Sequence, residues 1–363
     1  MFVFPRESLP KDPVFPADLE KLGYFINDND QIKMISDPSK DFMYKINANE
    51  RYNEMQKEAM NVCIRDIVLS RLHSLGLETL RLPIGASPKS QHVPILVSPG
   101  LETKSRIIVV FGEPAQDLGI WAYRTIGHEG INMGSAVDFA SAVLKGRNGI
   151  DAESTGLIIT NPGQLVWYCG GGYPMSLPTW NALPRESAVD APLRMTYRNS
   201  IPGNENWREH INYVFEEVLG KMTSKDSRID IIGLAEGGLG AIQYLAENFS
   251  EWKHRISALC ISNPVHTTED FHTPEFSAFI ATRCRAYQLS ESPLNQPIRG
   301  SSEFGCGCFS SGEQLNAECI MPKAWKAILE WLTKLHADKD YKEVQVMFED
   351  EKVEEDGFRV EGK

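Results

Sequence analysis

The sequence holds no run of about 18 uninterrupted apolar residues, so no membrane-spanning helix is expected. Its start, Met1-Phe2-Val3-Phe4-Pro5-Arg6-Glu7, lacks a basic stretch, an apolar stretch and a small-residue cleavage site. No secretory leader is therefore predicted. Positive charge is scarce: 37 Lys and Arg stand against 49 Asp and Glu, a net of 37 − 49 = −12. Such a chain lacks the basic field that displaces counterions from nucleic acid, and direct nucleic-acid binding is not expected. Cysteines are few and odd in number: Cys63, Cys169, Cys260, Cys284, Cys306, Cys308 and Cys319. They fall in scattered predicted strands and helices, which fits a reducing compartment, nucleus and/or cytoplasm. Cys306-Gly307-Cys308 with Cys319 is a lone cluster, whereas tetrahedral zinc usually draws on two paired ones. These thiols are read as buried, and no metal or cofactor is expected.

The 363 residues suffice for one large domain or two average ones. Hydrophobic residues make up 42% and charged residues 24%, and 16 Phe, 11 Tyr and 7 Trp can fill a large core. Strand-like runs at His92–Ser98, Arg106–Phe111, 156–160, Arg228–Gly233, Arg255–Ser262 and Arg283–Leu289 alternate with helical patterns. The helical patterns cover 53–75, Ser135–Lys145, Glu205–Met222, Gly237–Asn248 and Pro322–His336. Alternation of this kind predicts an α/β fold, a doubly wound and mostly parallel sheet in one large domain over 51–337. Residues 1–50, broken by Pro5, Pro10, Pro13 and Pro16 but anchored by aromatics, read as an arm packed on that domain. Residues 161–204 and 290–320, rich in Gly with Pro and Trp or with Cys, read as excursions from the sheet. The tail, 338–363, carries ten acidic and five basic residues and is expected to be solvated and at least partly disordered. Within it, Val344-Gln345-Val346-Met347-Phe348 is a candidate for pairing with a partner's sheet edge.

The most informative segment is Ile229-Asp230-Ile231-Ile232-Gly233-Leu234-Ala235-Glu236-Gly237-Gly238-Leu239-Gly240. It reads as an apolar strand, a glycine-bracketed turn and a helix. Neither phosphate motif fits: Leu239 stands where a Walker loop needs Lys, and Gln243 where the dinucleotide fingerprint needs Gly. In α/β-hydrolases this context hosts the Gly-x-Ser-x-Gly nucleophile elbow. Here Ala235 occupies the nucleophile's place, and a methyl group cannot attack a carbonyl. A frame shifted by one exposes Glu236, a poor acyl nucleophile. The base should follow the final strand, in Cys308-Phe309-Ser310-Ser311-Gly312-Glu313, which contains no histidine. His266 comes too early and His336 too late. Glu113 and Asp117 lie where an oxyanion loop belongs, and acids there repel a developing oxyanion. Arg208-Glu209-His210 falls inside a helix and reads as surface.

Phe15-Pro16, Leu22-Gly23-Tyr24-Phe25, Phe42-x-Tyr44, Asn49-Glu50-Arg51, His92-Val93-Pro94-Ile95, Phe111-Gly112-Glu113, Asn161-Pro162-Gly163-Gln164 and Ile201-Pro202-Gly203-Asn204-Glu205 occur in this order. Together they resemble the argonaute-binding-protein-two (Arb-two) family, over roughly residues 10–335. That family is chiefly fungal. Related domains follow the catalytic region of some class II histone deacetylases and form a cotranscriptional regulator group in animals. The resemblance implies an α/β-hydrolase-like scaffold. The founding member belongs to an argonaute small-RNA chaperone complex acting in heterochromatin assembly and gene silencing. By resemblance, the partners are subunits of the argonaute complex or of a histone deacetylase. Some relatives keep a serine at the elbow; Ala235 departs from them, so hydrolase activity does not carry over.

Two readings follow. In the first, the chain is a catalytically dead hydrolase-like module that binds proteins. Gly233, Ala235, Glu236, Gly237 and Gly238 form its degenerate elbow and pocket floor, with Gly112, Glu113 and His266 as candidate pocket residues. In the second, the chain is an esterase-like hydrolase with relocated machinery. Glu236, Glu113 or His266 then acts as acid or base under the 161–204 loop.

Overall fold

A computed structural model describes residues 5–147, 149–344, 346 and 348. Strands β1 (Tyr24–Ile26) and β2 (Ile32–Met34) form a hairpin ahead of helix α1 (Glu50–Ser74). The main sheet draws on β3 (Glu78–Leu82), β4 (Val93–Val97), β5 (Arg106–Phe111) and β6 (Thr155–Ile159). Between β5 and β6 lie α2 (Tyr123–His128) and α3 (Val137–Leu144). A second hairpin, β7 (Val166–Tyr168) and β8 (Tyr173–Met175), leads into α4 (Leu177–Asn181) and α5 (Trp207–Tyr213). There follow β9 (Arg228–Leu234), α6 (Glu236–Trp252), β10 (Ile256–Ser262), α7 (Pro274–Arg283) and β11 (Cys284–Gln288). The series closes with α8 (Ser301–Phe304), β12 (Gly307–Ser310) and α9 (Ile320–Ala337).

The eight-stranded sheet has the order β12-β11-β10-β9-β5-β6-β4-β3. Only β4 runs against its neighbours; the other pairings are parallel. Strand β5 shows why the centre of this sheet is stable. Its side chains alternate between two cores: Ile108 and Val110 pack with α1, α3 and α9, and Ile107, Val109 and Phe111 pack with α5, α6 and α7. A parallel strand covered on both faces needs such an unbroken β-branched run. The predicted α/β class and mostly parallel sheet are borne out.

Several predicted boundaries move. The helix expected over Glu205–Met222 starts later, at Trp207, because Asn206 caps the Arg208 and Glu209 amides. It continues as a π-helical turn over Val214–Leu219. Strands β3 and β12 are additions to the sequence reading. The first, Glu-Thr-Leu-Arg-Leu, is a half-exposed edge strand with little apolar signal. The second lies inside the 290–320 segment read as an excursion. Near the start, Tyr24, Ile32 and Phe42 are buried in the α1 core. The Asp12 carboxylate grips the Arg51 guanidinium through two bonds of 2.7 and 2.8 Å. Arg51 also donates to the carbonyls of Asn181 and Leu183. The bonded guanidinium holds the Asp12 carboxyl below the usual range.

The tail is not solvated from its first residue. Arg283 donates to the carbonyls of Lys339 and Tyr341, and the buried Glu343 carboxylate meets Arg285, Trp331 Nε1 and Tyr341 Oη within 2.9 Å. A carboxylate with three donors is a dock, which the acidic composition concealed. Positions 345, 347 and 349–363 lie outside the described residues, and with them two of the five residues of the Val344–Phe348 pairing candidate. Among the described residues, no helix is long and apolar enough to cross a membrane.

Arg51 and Asp12 have side chains only 5% and 3% exposed. Arg51→Ala strands a buried carboxylate and should cost about 3 kcal/mol in urea unfolding. A loss under about 0.5 kcal/mol, the range of ordinary surface substitutions, would contradict this buried anchor.

Candidate functional site

Strand β9 delivers the chain to a sharp corner at the carboxyl edge of the sheet, and α6 starts one residue later. Ala235 sits at the corner with φ 44° and ψ −117°, a conformation that alanine rarely adopts. Holding it there costs on the order of 1–3 kcal/mol. The surrounding glycines explain why the corner is so tight. A Cβ on Gly233 would collide with Gly238 Cα, and one on Gly237 would collide with the Gly112 carbonyl oxygen. A Cβ on Gly238 would lie 2.9 Å from Ile261 Cγ2. Bare backbone therefore meets bare backbone. The Ala235 amide donates to the Ser262 carbonyl at 2.9 Å, and its carbonyl accepts from Leu239 at 3.0 Å, the first turn of α6. This is the geometry of a nucleophile elbow with a methyl group at its tip.

Two further loops share that edge. After β12 come Ser311, Gly312 and Glu313. Ser311 Oγ donates to the Gln288 carbonyl at 2.7 Å. Burial works to raise the Glu313 carboxyl, but Lys323 at 2.6 Å and the amides of Leu315 and Asn316 hold it at about 2. After β5 comes Gly112-Glu113. Burial, then the facing carboxylates of Glu236 and Glu318, push Glu113 up to about 7. Gln116 Nε2 donates to it at 3.1 Å.

The structure thus brings Glu113 and Glu236 into electrostatic contact but sends His266 elsewhere. His266 is fully buried, its Nε2 lies 3.0 Å from the Phe304 carbonyl, and its ring packs on Phe271 and Phe304. Among the described residues no hydrogen bond joins Glu113, Glu236 and His266 to one another. A cavity of about 460 Å³ opens next to Glu113, between α1, α2, the start of α4 and Glu318. The corner does not floor it: Gly233, Ala235, Glu236, Gly237 and Gly238 are absent from its walls, and the sheet edge contributes Glu113, Ala115, Gln116 and Asp117 instead. Gly112 lines only a neighbouring void of about 10 Å³. Among the described residues no group of three His, Cys, Asp or Glu converges as a metal site.

Sequence reasoning missed a buried polar network behind this cavity. Asn161 Nδ2 donates to the Pro94 carbonyl at 3.0 Å and to Gln164 Oε1 at 2.9 Å. The Asn161 amide donates to His210 Nε2 at 3.1 Å. That fixes the tautomer: the ring proton lies on Nδ1 and is donated to Asn204 Oδ1 at 2.7 Å. Gln164 Nε2 continues to Asp117 Oδ1 at 3.1 Å. Asp117 accepts from Tyr123 at 2.6 Å and pairs with Arg65 at 3.0 Å, and Arg65 reaches Glu58 at 2.7 Å. His210, read as surface, is fully buried, and burial lowers it to about 3. The Asn-Pro-Gly-Gln and Pro-Gly-Asn runs were the visible signal, since each places an amide side chain in a turn.

The strand order, the single reversed strand and the corner after β9 define an α/β-hydrolase fold. Within that class, the chain belongs to the Arb2 domain family, whose profile matches residues 15–294. The resemblance read from its motifs is thereby borne out. It is 23% identical over 318 residues to a cotranscriptional regulator ARB2A homolog of Xenopus tropicalis, covering 79% of this chain and 72% of that protein. It is 21% identical over 308 residues to a protein of the same name from Dictyostelium discoideum, covering 82% and 75%. Solved structures similar to it include a histone deacetylase from Saccharomyces cerevisiae, with TM-score 0.43 and 13% identity over 75% of this chain and 95% of that one. A poly(aspartic acid) hydrolase from Sphingomonas gives TM-score 0.33 and 13% identity over 70% and 99%.

Between pH 6.5 and about 3, the unfolded chain protonates His210 and the folded chain does not. Stability must then fall as pH falls, by up to about 1.4 kcal/mol per pH unit from this residue. Urea unfolding at pH 7 and pH 5 should show that slope reduced in His210→Gln. Equal slopes in the two proteins would contradict a neutral, buried imidazole.

Proposed function

We propose that the chain is a non-catalytic α/β-hydrolase-like module that binds other proteins, as a subunit of a nuclear gene-silencing assembly. The observation that carries this is the methyl group of Ala235, 4% exposed, at the tip of an otherwise complete elbow. The loop after β12 adds to it, because Ser311-Gly312-Glu313 stand where the base would come. The relatives are named as cotranscriptional regulators, which supports a regulatory and nuclear role. The family points to argonaute-complex or histone deacetylase subunits as partners. A relocated hydrolase has one observation in its favour, the Glu113 carboxyl near neutrality. Against it, no hydroxyl or thiol among the described residues is hydrogen-bonded to that acid, so no activated protein nucleophile accompanies it.

The test restores the nucleophile alone. Ala235→Ser should hydrolyse p-nitrophenyl acetate no faster than the unaltered chain, because the Ser311-Gly312-Glu313 loop after β12 holds no histidine to activate it. Turnover by the unaltered chain that disappears in Glu113→Gln would overturn the proposal. Purification from the native host should recover argonaute or deacetylase subunits.

A further inference from the structure

The excursion between β6 and α5 contains a stretch that stands clear of the domain. In Ala191-Pro192-Leu193-Arg194-Met195-Thr196-Tyr197-Arg198 every residue is exposed. Up to Thr196 this stretch forms no helix, strand or turn, and Thr196 itself is extended, at φ −132° and ψ 172°. Successive side chains of an extended chain leave on opposite sides, so Leu193 and Met195 alternate with Arg194 and Thr196. The short helical turn that follows adds Tyr197 and Arg198. Both ends are pinned. Trp180 Nε1 donates to the Leu193 carbonyl at 2.9 Å. Asn199 Oδ1 accepts from the Thr196 amide at 2.8 Å, while its Nδ2 donates to the Trp167 carbonyl at 2.9 Å. The middle is open: among the described residues, the backbone amides and carbonyls of Arg194 and Met195 have no protein partner. Such backbone is a template for pairing with another chain.

Two observations say what kind of chain. The first is apolar. Leu193 and Met195 are each 46% exposed, and Tyr197 is 83% exposed. Exposed Leu177 lies on the α4 turn that carries Trp180, and exposed Tyr173 packs on Tyr168, whose ring lies 6.3 Å from Trp180. Single exposed apolar side chains are ordinary, but a strip of them marks an interaction surface. The second is charge. Among the described residues, the guanidinium groups of Arg194 and Arg198 have no carboxylate partner, and the acids that precede them, Glu186 and Asp190, are engaged elsewhere. In a chain of net charge −12, unpaired arginines beside an apolar strip are a local exception.

We propose that residues 191–198 are a docking edge for an extended, acidic segment of a partner protein. The partner's backbone pairs with Arg194 and Met195, its apolar side chains lie beside Leu193 and Met195, and its carboxylates meet Arg194 and Arg198. The inference rests on the reading of the chain as a protein-binding module and says where it binds and by what chemistry. A nucleic acid fits less well, because two guanidinium groups release few of the counterions that drive such binding. At about 0.15 M salt the Debye length is about 8 Å, so these two groups act on a docked carboxylate while the distant acids of the chain are screened.

The probe is a fluorescein-labelled peptide, DVEVDVE, titrated with the full-length chain at that salt and followed by anisotropy. Binding should saturate with a Kd on the order of 100 μM, and the KVKVKVK analogue should show none below about 1 mM. Arg194→Glu with Arg198→Glu should weaken DVEVDVE about tenfold, and Arg194→Lys with Arg198→Lys should keep it within about threefold of the unaltered chain. N-methylation of alternate peptide residues separates strand pairing from charge alone, because only one edge of a strand faces its partner. One of the two alternate sets should abolish binding and the other should leave it intact. The proposal is overturned if DVEVDVE does not bind the unaltered chain, if KVKVKVK binds equally, or if neither methylated peptide loses affinity. It is also overturned if oligothymidylate displaces the peptide at equal concentration. Failure here leaves the protein-binding reading in place, whereas that reading falls to ester turnover lost in Glu113→Gln, a result that does not touch this edge.

Discussion

The first turn of α6 lies directly on the backbone of β5 and β9, and the upper edge of the sheet is arranged around that contact. Gly237 meets the Gly112 carbonyl, and Gly238 meets Gly233, with no room for a side chain at Gly233, Gly237 or Gly238. A helix pressed so closely onto the strand that feeds it leaves one residue to make the whole reversal. That residue is Ala235, at a φ of 44°. The same contact fixes Glu236 at the head of α6 and Glu113 one residue beyond Gly112. Two carboxylates thus become neighbours because two backbones do. Burial raises the Glu113 carboxyl first, and the Glu236 and Glu318 carboxylates add to that shift.

Behind this corner, order comes from polar groups rather than apolar ones. Loops at the carboxyl edge of an α/β sheet have no ladder to hold them. Here Asn161, His210, Gln164, Asp117 and Arg65 tie the loops after β5 and β6 to α1 and α5 through bonds of 2.7 to 3.1 Å. Networks of this kind are rigid when every member is satisfied and costly when one is removed. Such rigidity serves a binding scaffold as well as an enzyme.

What the sequence disclosed, and what it withheld, follows from the range of each signal. Runs such as Arg106–Phe111 and Ile256–Ser262 announce buried parallel strands locally, and both are strands. The glycine frame from Gly233 to Gly238 announced the corner, because only a close approach needs so many bare positions. The paired motifs announced the family. Strand β3 stayed hidden, since an edge strand with charged positions has no periodicity to read. His210 was misplaced because a helix of mixed polarity does not say which face a distant turn will cover. Asn204 and Asn161, from other loops, meet the His210 ring there. Glu343 likewise looked like one acid among many until Arg285 and Trp331 came within 2.7 Å. The cavity was invisible as a cavity, because its walls come from α1, α2, α4 and the segment before α9.

The proposal that this elbow, with a methyl group at its tip, is not catalytic has one direct measurement. The unaltered chain, exposed to a fluorophosphonate and then digested and analysed by mass spectrometry, should carry no adduct on any serine or cysteine near the carboxyl edge of the sheet. A stoichiometric adduct on a single residue there, such as Ser262 or Ser311, would show an activated nucleophile and contradict the account.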